Sequence, residues 1–351
     1  MIKYLGSKLR LLPRIVSLTQ ALPDVNTVVD LFSGTSRVGH ALKGAGYRVL
    51  ANDHNAYAVT LGRCLVQADA EDVLADAERL VLELQALPPR PGYFTEQFCE
   101  KARFFKPDNG ARIDAIRERI ATLSLAPELE AVLLTSLMLA ADRVDSTTGV
   151  HMAYLKKWAP RAHNDLVMKV PAILPRAQAG KGEAHMLDAE AAAGLVGDLA
   201  YLDPPYNQHK YLGNYHIWET LVRWDKPDVY GMVNKRIDCK VRRSDFNSKP
   251  RIRAALARTI DAVACPRLLV SFNNEGHVRP DEMIALLRRR GVVTVFSKEV
   301  SRYVGARIGI HSPTGDRVGQ VSHLKAHELL FLVTPEPPPP ALLAQATTLE
   351  F

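Results

Sequence analysis

Asp203-Pro204-Pro205-Tyr206 directly follows the apolar run Leu199-Ala200-Tyr201-Leu202. A strand that ends in this turn presents an acceptor-rich rim. Both prolines have fixed φ and no N–H, so carbonyls point outward without a competing donor. Asp203 adds two carboxylate oxygens, and Tyr206 supplies a flat face for stacking. An exocyclic amine on a planar base, with two hydrogens to satisfy and a ring to stack, fits such a rim. The alternative for the tetrapeptide alone is a tight strand-to-loop turn without chemistry.

A second constellation lies near the N-terminus. Residues 28–39, V-V-D-L-F-S-G-T-S-R-V-G, read as a short β-branched strand, a loop of small residues and a helix to about Lys43, stopped by Gly44 and Gly46. Gly34 and Gly39 allow a ligand close to the backbone, and the new helix offers free N–H groups. The spacing is not G-x-G-x-x-G, and there is no Gly-Lys-Ser/Thr. A nucleoside triphosphate or NAD is therefore disfavoured. The next strand, Arg48 to Asn52, ends at Asp53, where a Rossmann-like sheet binds ribose hydroxyls. Asp53 also suits the N-cap of a helix over Tyr57–Leu65, and the two roles are compatible.

Together these loops resemble S-adenosylmethionine-dependent methyltransferases. Lys3-Tyr4-Leu5-Gly6-Ser7-Lys8 narrows the resemblance to the D12 class of DNA adenine-N6 methyltransferases, the Dam-like group. K-Y-L-G-S-K, then D-L-F-S-G-T, a long insert and D-P-P-Y is similar to that family's order. The resemblance implies an α/β fold, a Rossmann-like class I methyltransferase sheet with an inserted, mainly helical target-recognition domain. It implies methyl transfer from S-adenosylmethionine to N6 of a flipped-out adenine in double-stranded DNA, in a restriction-modification or epigenetic role. A cognate restriction endonuclease acting on the same site is then a candidate partner. The cofactor residues implied are Tyr4, Gly6, Ser7 and Lys8 beside the methionine end, then Asp30, Phe32, Ser33, Gly34, Thr35, Ser36 and Asp53, with Asp203. Asp188 matches by position the acid that meets the cofactor adenine; a helix N-cap before Ala189 is the other reading. Catalysis falls to Asp203, Pro204, Pro205 and Tyr206. Asp203 and the Pro204 carbonyl each accept one N6 hydrogen, and Tyr206 stacks on the base. Methylation of cytosine N4 or of RNA adenine, and a silent DNA-binding protein on the same fold, are the rivals.

Of 351 residues, the net charge is +7. Residues 235 to 258 hold nine Lys/Arg against Asp238 and Asp245, so this segment carries an excess equal to that of the whole chain. A basic stretch after the catalytic turn points to a polyanion. Candidate DNA contacts there are Arg236, Lys240, Arg242, Arg243 and Lys249, joined by Tyr211 and Asn214 just after the turn. His216 and Trp218 read as inward-packed aromatics. Cys64, Cys99, Cys239 and Cys265 are scattered without a C-x-x-C pair, which reads as reduced thiols with no metal. With no apolar leader and no run of about 18 apolar residues, the chain reads as a cytoplasmic protein.

The elements that must position these residues follow from spacing. Asp30 and Asp203 are 173 positions apart, while three βαβ steps need roughly 30 residues each. The surplus implies an insert. Breaker clusters at residues 87–92 and 175–182 bound it, giving a catalytic domain of 1–87 and 180–334, an inserted recognition domain of 88–179 and a proline-rich tail of 335–351. Within the insert, Ile113–Leu123 and Glu128–Ala141 have helical periodicity. Its candidate DNA contacts are Arg103, Lys106, Arg143 and Lys156, with Asn109, Arg112, Ser146, Thr147, Thr148 and Lys157 as further polar candidates. Asp142 and Arg143 form an alternative internal ion pair. Further strands are expected at 184–188, 267–271, 292–297 and 329–334. Asn273-Asn274-Glu275 would share the cleft as a DNA contact or a turn, and 300–323 reads as an excursion.

Overall fold

Near-continuous apolar runs build the central sheet. The computed structural model describes residues 2–273, 276–301, 310–311, 317–319 and 325–347. Asn274, Glu275 and most of the 300–323 excursion lie outside them. The strands are β1 (Thr27–Asp30), β2 (Arg48–Asn52), β3 (Glu183–His185), β4 (Leu199–Leu202), β5 (Arg267–Asn273), β6 (Val292–Ser301) and β7 (Lys325–Thr334). They lie in the order β3-β2-β1-β4-β5-β7-β6. The first five are parallel, and β7 runs antiparallel between β5 and β6. It is a Rossmann-like, mostly parallel sheet.

Both faces of the sheet are covered, as a parallel sheet requires. Val28, Leu199 and Leu269 point to one face, where they meet Ile15 and Leu18 of α1 (Leu12–Gln20) and Leu42 of α2 (Arg37–Gly44). Val29, Ala200 and Leu268 alternate to the other face. There they meet Leu256 and Ile260 of α8 (Ile252–Ala262) and Met283 of α9 (Pro280–Leu287). The third strand is shorter than the sequence suggests. Asn52 holds Leu187 through both its amide and its carbonyl, drawing the chain off the ladder after His185.

The remaining longer helices among the described residues are α3 (Ala56–Gly62), α4 (Ala70–Gln85), α5 (Pro107–Thr122), α6 (Pro127–Val144) and α7 (His216–Arg223). Helices α5 and α6 extend the two periodic segments read from the sequence, and each begins with proline at its first turn. They do not form a separate core. Ile113, Ile116, Leu137 and Met138 pack in one cluster with Tyr57 and Leu61 of α3, Trp218 and Leu221 of α7, and Ile2. The proline tail is also attached. After residues 335–339 a short helix, Pro340–Leu343, buries Leu342, and the Thr347 amide donates to Val295 on edge strand β6. No helix among the described residues is long and apolar enough to cross a membrane.

One buried carboxylate ties the segment before α5 to that helix. Asp114 accepts from the amides of Gly92, Phe94 and Thr95 at 2.9, 2.9 and 2.8 Å and from the Thr95 hydroxyl at 2.6 Å. Asp114→Ala strands three buried donors and is expected to cost about 3 kcal/mol, measured by urea unfolding. A loss below about 0.5 kcal/mol would show that these bonds are not holding the segment.

Candidate active site

Strand order reverses between β1 and β4, and ligands in open α/β sheets bind beyond the carboxyl ends of strands at such a point. Asp30 pairs with Tyr201, and the Leu31 amide donates to the Tyr201 carbonyl at 3.0 Å. The loops after the two strands therefore open side by side onto one cavity of about 580 Å³. Its lining brings together Tyr4, Gly6, Ser7, Lys8, Asp30, Phe32, Ser33, Gly34, Thr35, Asp53, Asp188, Asp203 and Pro205. Of the expected cofactor residues only Ser36 is absent from the lining. It is fully buried behind the loop, in left-handed backbone with φ +54°.

The loop after β1 is fixed from both sides. The Ser33 amide donates to the Asn52 carbonyl at 2.8 Å, and the Gly34 amide to Asp53 Oδ2 at 3.1 Å. The other Asp53 oxygen accepts from the Asn55 amide at 2.9 Å. Burial raises the Asp53 carboxyl above its ordinary range, and the hydrogen bonds from Asn55 and Gly34 act against that. Asp30 is 1% exposed, and burial, reinforced by the charges of Asp203 and Asp53, pushes it up to about 8. Gly34 has φ +50°, and a Cβ there would sit 3.3 Å from the Tyr4 hydroxyl oxygen. Gly6, at φ +72°, is equally confined by the Tyr211 hydroxyl at 3.2 Å. Tyr4 stacks on Tyr211 and Tyr215 with centroids 5.3 and 4.7 Å apart, and the Leu5 amide donates to the Tyr215 hydroxyl at 2.7 Å. The N-terminal segment is thereby clamped over the cavity.

Lys8 is the charge that meets the Asp203–Tyr206 turn. Its ammonium is 3.2 Å from Asp203 Oδ1 and 3.1 Å from Glu328 Oε2, with its side chain 6% exposed. Burial lowers the Lys8 pKa, but Asp203 and Glu328 outweigh it and hold the group well above its ordinary value. Asp203 is pushed up to about 6, chiefly by burial, with Lys8 opposing and Glu328 adding to the rise. Tyr206 lies edge-on to Phe272 at 5.6 Å, 5.7 Å from the Lys8 ammonium, and its carbonyl accepts from the His277 amide. Pro204 is buried beneath the turn.

The expected DNA-facing residues divide. Arg143, Lys156, Lys240, Arg243 and Lys249 are exposed, and Arg243 also lines the cavity. Arg103 and Lys106 both lie 4.7 Å from the Trp158 ring. Tyr211 lines the cavity. Two candidates are turned inward. Arg236 is 2% exposed, bound at 2.7 Å to both oxygens of Asp225 and also to Asp238. Asn214 is 5% exposed. Arg242 is half committed, bonding Glu219 at 3.1 Å and the His54 carbonyl at 2.8 Å. Ser146, Thr147 and Asn109 are buried as well, and Asp142 pairs with Lys3 at 3.4 Å rather than with Arg143. His216 and Trp218 are buried, as read from the sequence.

Sequence reasoning missed Glu328, which reaches the site from β7, and Phe246, which meets Phe32 edge-on at 5.1 Å in the cavity wall. It also missed Asn247, whose amide binds the carbonyls of Asn207 and His209 and so anchors the loop after the catalytic turn.

The sequence that builds this cavity has counterparts among known proteins. The family model of the D12 class N6 adenine-specific DNA methyltransferases matches residues 4–249. The chain belongs to the D12 class. The matched span covers the clamp segment, both cavity loops and the catalytic turn, and it stops before β5 and β7. The chain is 30% identical to the type II methyltransferase M.FokI of Planomicrobium okeanokoites over 83% of its own length and 47% of that protein's. It is 29% identical to the type II methyltransferase M.NlaIII of Neisseria lactamica, covering 86% and 92% of the two chains. Modification methylase StsI of Streptococcus sanguinis is 28% identical over 83% of this chain and 46% of its own. The chain thus spans about half the length of the FokI and StsI relatives and nearly all of the NlaIII one. Membership of this methyltransferase class implies a methyl donor and DNA as substrate.

Gly34→Ala forces a side chain into left-handed backbone and against Tyr4. It is expected to weaken methyl-donor binding about tenfold, read by calorimetry. Unchanged affinity would contradict a close approach of ligand to this loop.

Proposed function

We propose that this chain transfers a methyl group from S-adenosylmethionine to N6 of an adenine extruded from double-stranded DNA at a specific sequence. The observation that carries this reading is that Asp203 opens onto the same cavity as the Gly34–Asp53 loop. The cavity fits such a donor. Its volume is within the range of small-ligand sites, Gly6 and Gly34 leave space that any Cβ would fill, and acids line it for a cationic, hydroxyl-bearing molecule. Asp53, already bound to the Gly34 amide, is placed for ribose hydroxyls, and Asp188 for the donor's adenine.

Bound there, S-adenosylmethionine would supply a sulfonium methyl, its C–S pair leaving with sulfur as N6 forms the new bond and the proton shed by N6 passing to water. The chain's own residues prepare the nucleophile. Adenine N6 is weak because its lone pair is delocalised into the ring. Asp203 and the Pro204 carbonyl each accept one N6 hydrogen, which localises the lone pair toward the methyl. Tyr206 stacks on the base and fixes its plane. Rate then comes from orientation and electrostatic preorganisation, without a covalent enzyme intermediate. The buried cysteine thiols are held up by burial, Cys64 to about 12, and take no part.

N6 is inaccessible in a duplex, so the base is flipped, at a cost of a few kcal/mol. Phosphate contacts from Lys240, Arg243 and Lys249 offset that cost. So do contacts from Arg103, Lys106, Arg143 and Lys156 in the 88–179 segment, which we assign to target recognition. The relatives named type II methyltransferases and modification methylases support a modification role; we assign it to the cytoplasm, with a cognate endonuclease acting on the same site as the partner.

The test is incubation with DNA and methyl-labelled donor, then digestion to nucleosides. The expected result is label in N6-methyladenine, reduced about 10²–10³-fold in Asp203→Ala. Label in N4-methylcytosine would overturn the substrate, and no label in any base would overturn the activity. The pH profile gives a second check. Asp203 must be ionised to accept hydrogen, and its pKa of about 6 means kcat/KM falls as pH drops through about 6. A limb near 4 would contradict the burial-driven rise at Asp203.

A further inference from the structure

Glu328 is a carboxylate facing a catalytic carboxylate across a single buried ammonium. It lies on β7, outside the residues matched by the family model. Its Oε2 is 3.1 Å from Lys8, and its Oε1 accepts from Asn273 Nδ2 at 3.3 Å. Its backbone register, opposite Asn273 on β5 and Lys298 on β6, sets it in the sheet interior rather than on a loop. Among the described residues, the groups facing Lys8 are Asp203, Glu328, Tyr201 and Tyr206.

A lone lysine against Asp203 would neutralise it and make it a poor hydrogen-bond acceptor. Two carboxylates on one ammonium leave the buried group with a net charge of −1. Lys8 engages Asp203 through Oδ1, which leaves Oδ2 for substrate. We propose that Glu328 is a positioning residue for methyl transfer: by sharing Lys8 it fixes the Asp203 carboxylate and preserves its negative charge toward the N6 hydrogen. This rests on the adenine reading above. Glu328 touches no substrate and acts only through Lys8 and the field at Asp203.

Two charges acting through a third give a distinctive mutational pattern. Glu328→Gln lets Lys8 close on Asp203, so kcat is expected to fall at least tenfold while KM for S-adenosylmethionine stays within about threefold. Removing the like charge also moves the acid limb of kcat/KM to lower pH, whereas Glu328→Asp leaves the limb near its original position. In a Lys8→Met background the sign reverses, because Glu328 then repels Asp203 without shielding: adding Glu328→Gln should raise activity above Lys8→Met alone. A purely structural role predicts two losses that add, an unmoved pH limb, and a lowered melting temperature in proportion. That result, or wild-type kinetics in Glu328→Gln, overturns the proposal. Should Glu328→Gln not fold, the comparison of Lys8→Met with the double variant, and the Glu328→Asp profile, decide it. Absence of adenine methylation by the wild-type protein would instead sink the function reading, a distinguishable failure.

Discussion

The pairing of β1 with β4 is the constraint on which the site depends. Asp30 stands opposite Tyr201, so two loops separated by 173 positions leave the sheet at the same edge and in the same direction. A register slip of one residue would turn every side chain on β4 to the other face. Val28 and Val29, with Leu199 and Ala200, are committed to opposite cores, which makes that slip prohibitive. Packing on both faces thus sets the distance between the loop after β1 and the Asp203–Tyr206 turn without any contact in the cavity itself.

The second layer of organisation is electrostatic. Asp30, Asp53, Asp203 and Glu328 gather at one end of the sheet, with Lys8 as the buried cation among them. Burial raises the pKa of Asp30, Asp53 and Asp203, so the site holds negative charge reluctantly. A bound cation and a base donating hydrogens both relieve it. The stacked tyrosines 4, 211 and 215 hold the segment bearing Lys8 in place. The N-terminal segment is therefore part of the cavity wall, though it is not part of the sheet.

Most of the cavity lining was legible because it lies in short contiguous runs after strands. The loop at 30–36, Asp53 and the turn at 203–206 each announce themselves by composition. Residues whose partners are remote in sequence were not legible. Glu328 sits 125 positions after Asp203, in a strand where a glutamate reads as solvent-facing; only the insertion of β7 beside β5 brings it to Lys8. Arg236 looked like one more cation in a basic run, but Asp225 and Asp238 close around it when the Val229–Tyr230 and Lys235–Arg236 strands pair. The helical periodicity of α5 and α6 was visible, whereas their sharing a core with α3 and α7 depends on long-range packing that no local pattern encodes.

The most direct test is a structure with S-adenosylhomocysteine and a short duplex containing the methylated site. The account predicts an adenine outside the helix stack, its N6 about 3 Å from Asp203 and from the Pro204 carbonyl, with the nucleoside's ribose at Asp53. An adenine left stacked in the duplex, or a cofactor bound away from the Gly34–Asp53 loop, would contradict it.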